Sequence, residues 1–406
     1  MFGCFFPSPR LFAITGAGWT FAAYLFWQLV ASDMASVLGI GEVAGVSGDT
    51  IWLYVYAVSC TAVFVLSWIW GRPHRWALWS VAGSSLILLV SWFQVQMDLL
   101  LNDWFRVFYN TVQTALGNPG AVSLSEYFSH LITFATIAMV IIFTSVVIAF
   151  FTSHYVFRWR TAMNDRYVAM WQQVRHIEGA SQRIQEDTMR FAAIMEALGS
   201  RFIDAMLTLI AFLPVLWALS EPIKEIPVVG EIAQALVWVA IVWSVFGTGL
   251  LALAGYRLPG LEFRNQRVEA AFRKELVMGE DADERAHPPA LNELFANVRR
   301  NYFRIYFNYL YFNIARYTYL QVSVLVPYIA LGPTIVAAGF TLGAMQQIIR
   351  AFERVQSSFQ FLVMSWTTIV ELISIYKRLA AFERAIRGDG LAAIEFETGG
   401  LTATGN

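Results

Sequence analysis

Three carboxylates in the segment LEFRNQRVEAAFRKELVMGED (261–281), Glu262, Glu269 and Glu280, are spaced by seven and eleven residues. At about 100° per residue, a helix that runs through Gly279 sets all three within about 20° of one line. Carboxylates on one stripe repel one another, and that repulsion favours proton uptake, so the chemistry within reach is proton binding and release. The competing expectation is a solvated helix face whose charge is balanced by Arg264, Arg267 and Arg273. Glu275 falls off the stripe.

A second group lies in QEDTMRFAAIMEALGSRFIDAML (185–207), where Glu186, Glu196 and Asp204 advance into an apolar run. Glu186 can pair with Arg190 one turn on. Asp204 sits inside an expected membrane span, where a charge costs about 2.5–3.5 kcal/mol and usually faces a water-filled cavity. A path for protons or substrate is one reading of Asp204; an ion pair with Arg201 or Arg316 is the other.

A third group lies in NYFRIYFNYLYFNIARYTYLQV (301–322), where Tyr302, Tyr306, Tyr309, Asn313 and Arg316 recur at helical spacing. Such a stripe suits the lining of a wide aqueous cavity, since tyrosine offers flat contact area and a hydroxyl. Tyr302 and Tyr306 also fit an interfacial aromatic belt, which the deeper Arg316 does not.

Nothing in the chain suggests bond-making chemistry. There is no G-x-S-x-G elbow, no H-x-x-x-H pair, and no Walker A motif, since Gly-Lys never occurs. Two cysteines, Cys4 and Cys60, exclude a disulfide scaffold and a cysteine-ligated zinc site. A protein that is not an enzyme, with no cofactor, metal or nucleic-acid partner, is expected.

The elements that position these groups follow from composition. Hydrophobic residues make up 57% of 406, only 14% are charged, and mean hydropathy is +0.54, which marks an all-α integral membrane protein covered by lipid. Eight spans are expected: Leu11–Ala31, Ile51–Trp70, Ala77–Met97, Leu131–Phe151, Ser200–Leu219, Ile232–Ala254, Phe303–Pro327 and Thr334–Arg350 continuing toward Tyr376. The last two both carry polar residues, and one is interrupted by Pro327, Gly332 and Pro333.

With both termini cytoplasmic, only Arg106 and Lys224 of 28 basic residues face outward, as the positive-inside rule requires. MFGCFFPSPRLF carries no A-x-A-like cleavage site and reads as a retained anchor. The loops Thr152–Gly199 and Gly255–Tyr302 read as paired helices running on into the cytoplasm, the architecture of exporter-type ABC transmembrane domains. The expected organisation is an extra span and external loop over 1–50, the transmembrane domain over 51–382, and a cytoplasmic tail over 383–406, too short for a nucleotide-binding domain. One such half needs a second copy to enclose a cavity, so a homodimer is expected.

Several runs resemble one family over about Arg10 to Phe382: SHYVFRWRTAMN (153–164), WQQVRHIEGASQRIQEDTMRFA (171–192), LIAFLPVLW (209–217), WSVFGTGLLA (243–252), LPGLEFRNQRVEAAFRKELV (258–277) and SWTTIVELISIYKRL (365–379). This is the SbmA/BacA family. The resemblance implies a domain-intertwined homodimeric importer of the bacterial inner membrane, ABC-exporter-like but without an ATPase and driven by the proton gradient. It implies varied peptide cargo: proline-rich antimicrobial peptides, modified microcin-type peptides, bleomycin-like compounds, and defensin-like peptides in symbiosis.

It also implies a glutamate ladder. Carried over motif by motif, QEDTMRF supplies Glu186, IMEALG Glu196, RVEAAFR Glu269, and KELVMGED Glu275 and Glu280. Met278 departs from the pattern, standing where the family carries Tyr, which puts in doubt any hydroxyl at that step. An ABC permease subunit served by a separate ATPase is the rival expectation, and a membrane scaffold or envelope-lipid enzyme the third.

Overall fold

The computed structural model of the chain describes residues 2–41, 47–175, 180–223, 225–226, 230–281, 286–337 and 339–386. Of the expected tail, 387–406 lies outside these residues, as do Lys224 and the stretch 176–179 between the expected paired helices. Ten helices of 21 residues or more are present among the described residues. They are α1 (Pro9–Leu29), α2 (Gly48–Gly71), α3 (Ser84–Gly117), α4 (Leu124–Ala169), α5 (Thr188–Leu219), α6 (Ala235–Gly255), α7 (Leu258–Asp281), α8 (Pro288–Val336), α9 (Leu342–Met364) and α10 (Trp366–Ile386). The only β-structure among the described residues is a two-residue pair, Glu225–Ile226 with Gly230–Glu231.

Among the described residues, six segments are long and apolar enough to cross a membrane: Gly48–Gly71, Leu78–Gly117, Leu124–Ala169, Ala180–Leu219, Ala235–Glu262 and Pro288–Val336. At most 33% of any apolar window is buried within the chain, and in Leu124–Ala169 none is. Surfaces such as Ile132, Met139, Phe143 and Phe150, all well exposed, need a covering other than water. The chain is a multi-pass membrane protein.

The expected first and eighth spans are not among the six. The expected interruption is also displaced. α8 runs straight through Pro327 and Pro333 to Val336, and the break falls at 337–341 before α9. Val326, Pro327, Ala330 and Leu331 are buried, so packing holds this stretch helical despite the two missing N–H groups. The helix closes where Ala337 N–H bonds the Pro333 carbonyl at 3.0 Å and Gly339 N–H bonds that of Thr334 at 2.9 Å.

The chain forms two compact units, one from Met1–Val95, Ala138–Ile203 and Glu371–Asn406, the other from Gln96–Ile137 and Asp204–Val370. In the first, the turn Phe2–Phe5 is part of the core. Phe5 is fully buried and stacks on Trp159 at 5.8 Å, while Phe191 meets the same indole edge-on at 5.3 Å. Tyr155, Met163 and Tyr167 of α4 and Leu379 and Phe382 of α10 complete this core.

In the second unit, α6 and α8 meet around Tyr319. Its ring stacks on Trp243 at 5.4 Å, and its hydroxyl donates to the Trp243 carbonyl at 3.2 Å and accepts from Gln360 Nε2 at 2.8 Å. Trp243 Nε1 donates to Ser323 Oγ at 2.8 Å. Gly247 leaves room for this ring, since a Cβ there would overlap it. Gly247→Ala is therefore expected to destabilise the protein by about 1–3 kcal/mol, through overpacking. Thermal unfolding of the detergent-purified variant checks this.

The first turn of α9 is fixed by α3. Gln113 Oε1 accepts from Leu342 N–H at 2.8 Å and Asn110 Oδ1 from Gly343 N–H at 3.0 Å, satisfying two amides that the helix itself leaves open.

Candidate functional site

In the first unit, Glu186 sits in a π-helical turn, Arg183–Asp187, immediately before α5. Arg190 lies 2.9 Å from Glu186 Oε1, as the i,i+4 spacing suggests, and Gln182 Nε2 donates to its other oxygen at 3.1 Å. Arg190 also reaches Glu371 of α10 at 3.9 Å. Beside Glu186, Asp187 is buried and held by Arg183 at 2.8 Å and by two N–H groups of Arg378, at 2.8 and 3.2 Å. Such π turns recur at functional sites. Here one carboxylate faces the Arg190 side and its neighbour the Arg183–Arg378 pocket. Glu196, on α5, accepts a hydrogen bond from Ser153 Oγ of α4 at 2.5 Å.

In the second unit, α7 is unbroken from Leu258 to Asp281 and passes through Gly279. Glu262, Glu269 and Glu280 therefore share one face over a rise of about 27 Å. Tyr309 of α8 donates its hydroxyl to Glu262 Oε1 at 3.1 Å. Glu275 accepts from Ala286 N–H at 3.3 Å. Glu269 is half-buried and Glu280 exposed, and neither has an ion pair or hydrogen bond among the described residues. Tyr309→Phe is expected to lower stability by about 1 kcal/mol, the net worth of one hydrogen bond, read as a small fall in unfolding temperature.

The tyrosine stripe is continuous along α8. Tyr302 and Tyr306 rings lie 5.8 Å apart, Tyr306 is exposed, and Asn313 and Arg316 are half-buried. Arg316 Nε is buried with no partner among the described residues. Asp204 forms an ion pair with neither Arg201 nor Arg316 among those residues. The charges that act on it are Arg354 and Asp98.

That neighbourhood is absent from the sequence-based candidates. Arg354 Nη2 of α9 donates to Asp98 Oδ1 of α3 at 2.7 Å, and Arg350 stands 3.9 Å from the same oxygen with its guanidinium over the Phe105 ring at 4.6 Å. The available signals were an isolated Asp98 in the apolar run FQVQMDLLL and the one-turn pair Arg350 and Arg354. For Asp187 and Arg183 the signal was the same i,i+4 spacing; Arg378, 191 residues along the chain from Asp187, gave none.

Residues 73–387 match the model of the SbmA/BacA-like family. A Synechocystis protein named an uncharacterized ABC transporter ATP-binding protein is 23% identical over 389 residues, covering 90% of this chain and 55% of its own length. The Escherichia coli inner membrane ABC transporter ATP-binding protein YddA is 23% identical over 310 residues, covering 71% of this chain and 54% of its own. A Haemophilus influenzae protein, also named as an ABC transporter ATP-binding protein, is 23% identical over 260 residues, 60% of this chain and 42% of its own. The chain spans about half the length of these curated relatives.

Proposed function

The chain belongs to the SbmA/BacA-like family, and from that premise we propose that it is a secondary active transporter that imports peptides and peptide-like antibiotics, driven by the proton gradient. The single observation that carries the proton reading is the carboxylate face of α7, Glu262, Glu269 and Glu280, on one unbroken helix. This helix follows α6, which lies within one of the six apolar segments. Glu186, Glu196 and Glu275 supply the further sites of proton exchange. The stripe Tyr302, Tyr306, Tyr309, Asn313 and Arg316, with Asp204, supplies polar surface for varied cargo.

Proton binding to these carboxylates would bias the protein between outward-open and inward-open states. One proton crossing about 100 mV releases about 2.3 kcal/mol, enough for roughly forty-fold accumulation of a neutral solute. No nucleotide is required on that arithmetic. The protein would act as a homodimer of eight-span subunits in the bacterial inner membrane. Its termini and the far ends of α4, α5, α7 and α8 would lie in the cytoplasm, and it would catalyse no covalent step.

The test is uptake of a fluorescent proline-rich peptide into proteoliposomes holding only this protein, acid outside and free of ATP. Gradient-dependent accumulation is expected. The names of the relatives favour a second reading, an ATP-driven permease that works with a separate ATPase. That reading requires no uptake from the gradient alone and uptake restored by ATP with a cell extract.

A further inference from the structure

We infer that the groove between α7 and α8 binds the headgroup of an anionic phospholipid. Arg264 and Val268 face it from α7, one turn apart; Asn297, Arg300, Asn301 and Arg304 face it from α8, at i, i+3, i+4 and i+7. The cleft has a volume of about 440 Å³. It adjoins a second of about 450 Å³ that shares Arg264 and Arg304 and extends to Arg257. Among the described residues no Asp or Glu lines either cleft, although α7 carries Glu262, Glu269, Glu275 and Glu280.

Among the described residues, Arg264, Arg300 and Arg304 form no ion pair. Guanidiniums that converge on one void repel one another unless an anion sits between them, and their forked donors match the oxygens of a phosphate group. Asn301 is already engaged, its amide donating to Asn265 Oδ1 at 3.1 Å and to the Leu261 carbonyl at 3.4 Å, so it braces the wall between the two helices. The arginines are left for the ligand.

Two further observations favour an amphiphile over free phosphate. Arg257 comes two residues after the end of α6, near the end of the apolar segment Ala235–Glu262, where lipid headgroups would lie. Phe303 and Phe307, interleaved on one face of α8 with Arg300 and Arg304, are 56% and 62% exposed. One helix face therefore offers charge for a head and bare aromatic surface for an acyl chain. The site would be filled whichever solute the protein carries.

The experiment is native mass spectrometry of the full chain in detergent, titrated separately with phosphatidylglycerol, phosphatidylethanolamine and inorganic phosphate. Phosphatidylglycerol adducts are expected at concentrations where the other two give none. Combining Arg264→Gln, Arg300→Gln and Arg304→Gln should weaken them about a hundredfold. Arg273→Gln with Arg299→Gln, which removes charge outside the groove, should leave them unchanged. Should the triple variant fail to fold, Arg300→Gln and Arg304→Gln alone change exposed side chains and should each weaken binding about fivefold. Equal binding of the two lipids, or full binding by the groove variants, overturns the inference. Inorganic phosphate held as tightly as phosphatidylglycerol also overturns it, and would make the groove a free-anion site.

Discussion

Glu269→Gln is expected to abolish gradient-driven peptide uptake in proteoliposomes while leaving the protein folded and able to bind peptide. The amide keeps the size of the protonated carboxyl but has no proton to release, so it holds the site in one state of the transport cycle. Among the grouped carboxylates Glu269 is the informative one. Glu186 is paired with Arg190, Glu196 with Ser153, Glu262 with Tyr309, and Glu275 with the Ala286 amide, whereas Glu269 is half-buried with no such partner among the described residues. Its substitution therefore breaks no hydrogen bond or ion pair among the described residues, and a lost activity reports on proton exchange. Uptake at the wild-type rate by this variant would remove Glu269 from the route. Peptide binding, read by fluorescence anisotropy, separates a transport defect from a folding defect.

Asp187→Ala is expected to be the most destabilising single change, by about 3–5 kcal/mol, the typical cost of removing one partner from a buried ion pair. Asp187 is 1% exposed and faces two guanidiniums, Arg183 and Arg378, which the substitution would leave without their counter-charge. It also joins the π-helical turn to α10 across 191 residues of sequence. The expected readout is a large fall in unfolding temperature and a loss of monodisperse protein in detergent. Asp187→Asn, which keeps the shape but only part of the hydrogen bonding, should fall between the two. A wild-type melting profile for Asp187→Ala would mean that the three charges contribute nothing to stability.

Much of this architecture was legible in the sequence because lipid imposes a simple rule. Apolar runs of the right length become helices, and six of the expected spans coincide with the six apolar helical segments of the structure. The sequence left the continuation of α7 through Gly279 conditional, and the structure shows it. One glycine costs about 1 kcal/mol in a helix, less than the surrounding residues supply. The end of α8 was misplaced because proline was read by its local cost, whereas burial of Val326, Ala330 and Leu331 keeps the chain helical.

Side-chain partnerships at long range were the least legible. Asp98 with Arg354 and Asp187 with Arg378 join helices far apart in sequence, and no spacing rule connects them. Local pairs such as Glu186 with Arg190 followed directly from the period of the helix. The burial of Phe5 against Trp159 was hidden for the same reason as the distant ion pairs.

The most direct test of proton-driven import is to follow lumenal pH in ATP-free proteoliposomes, acid outside, while peptide is added. Import coupled to protons should acidify the lumen in step with peptide entry, and both signals should vanish in Glu269→Gln. Peptide entry without acidification, or entry only when ATP and an ATPase are supplied, would contradict proton coupling.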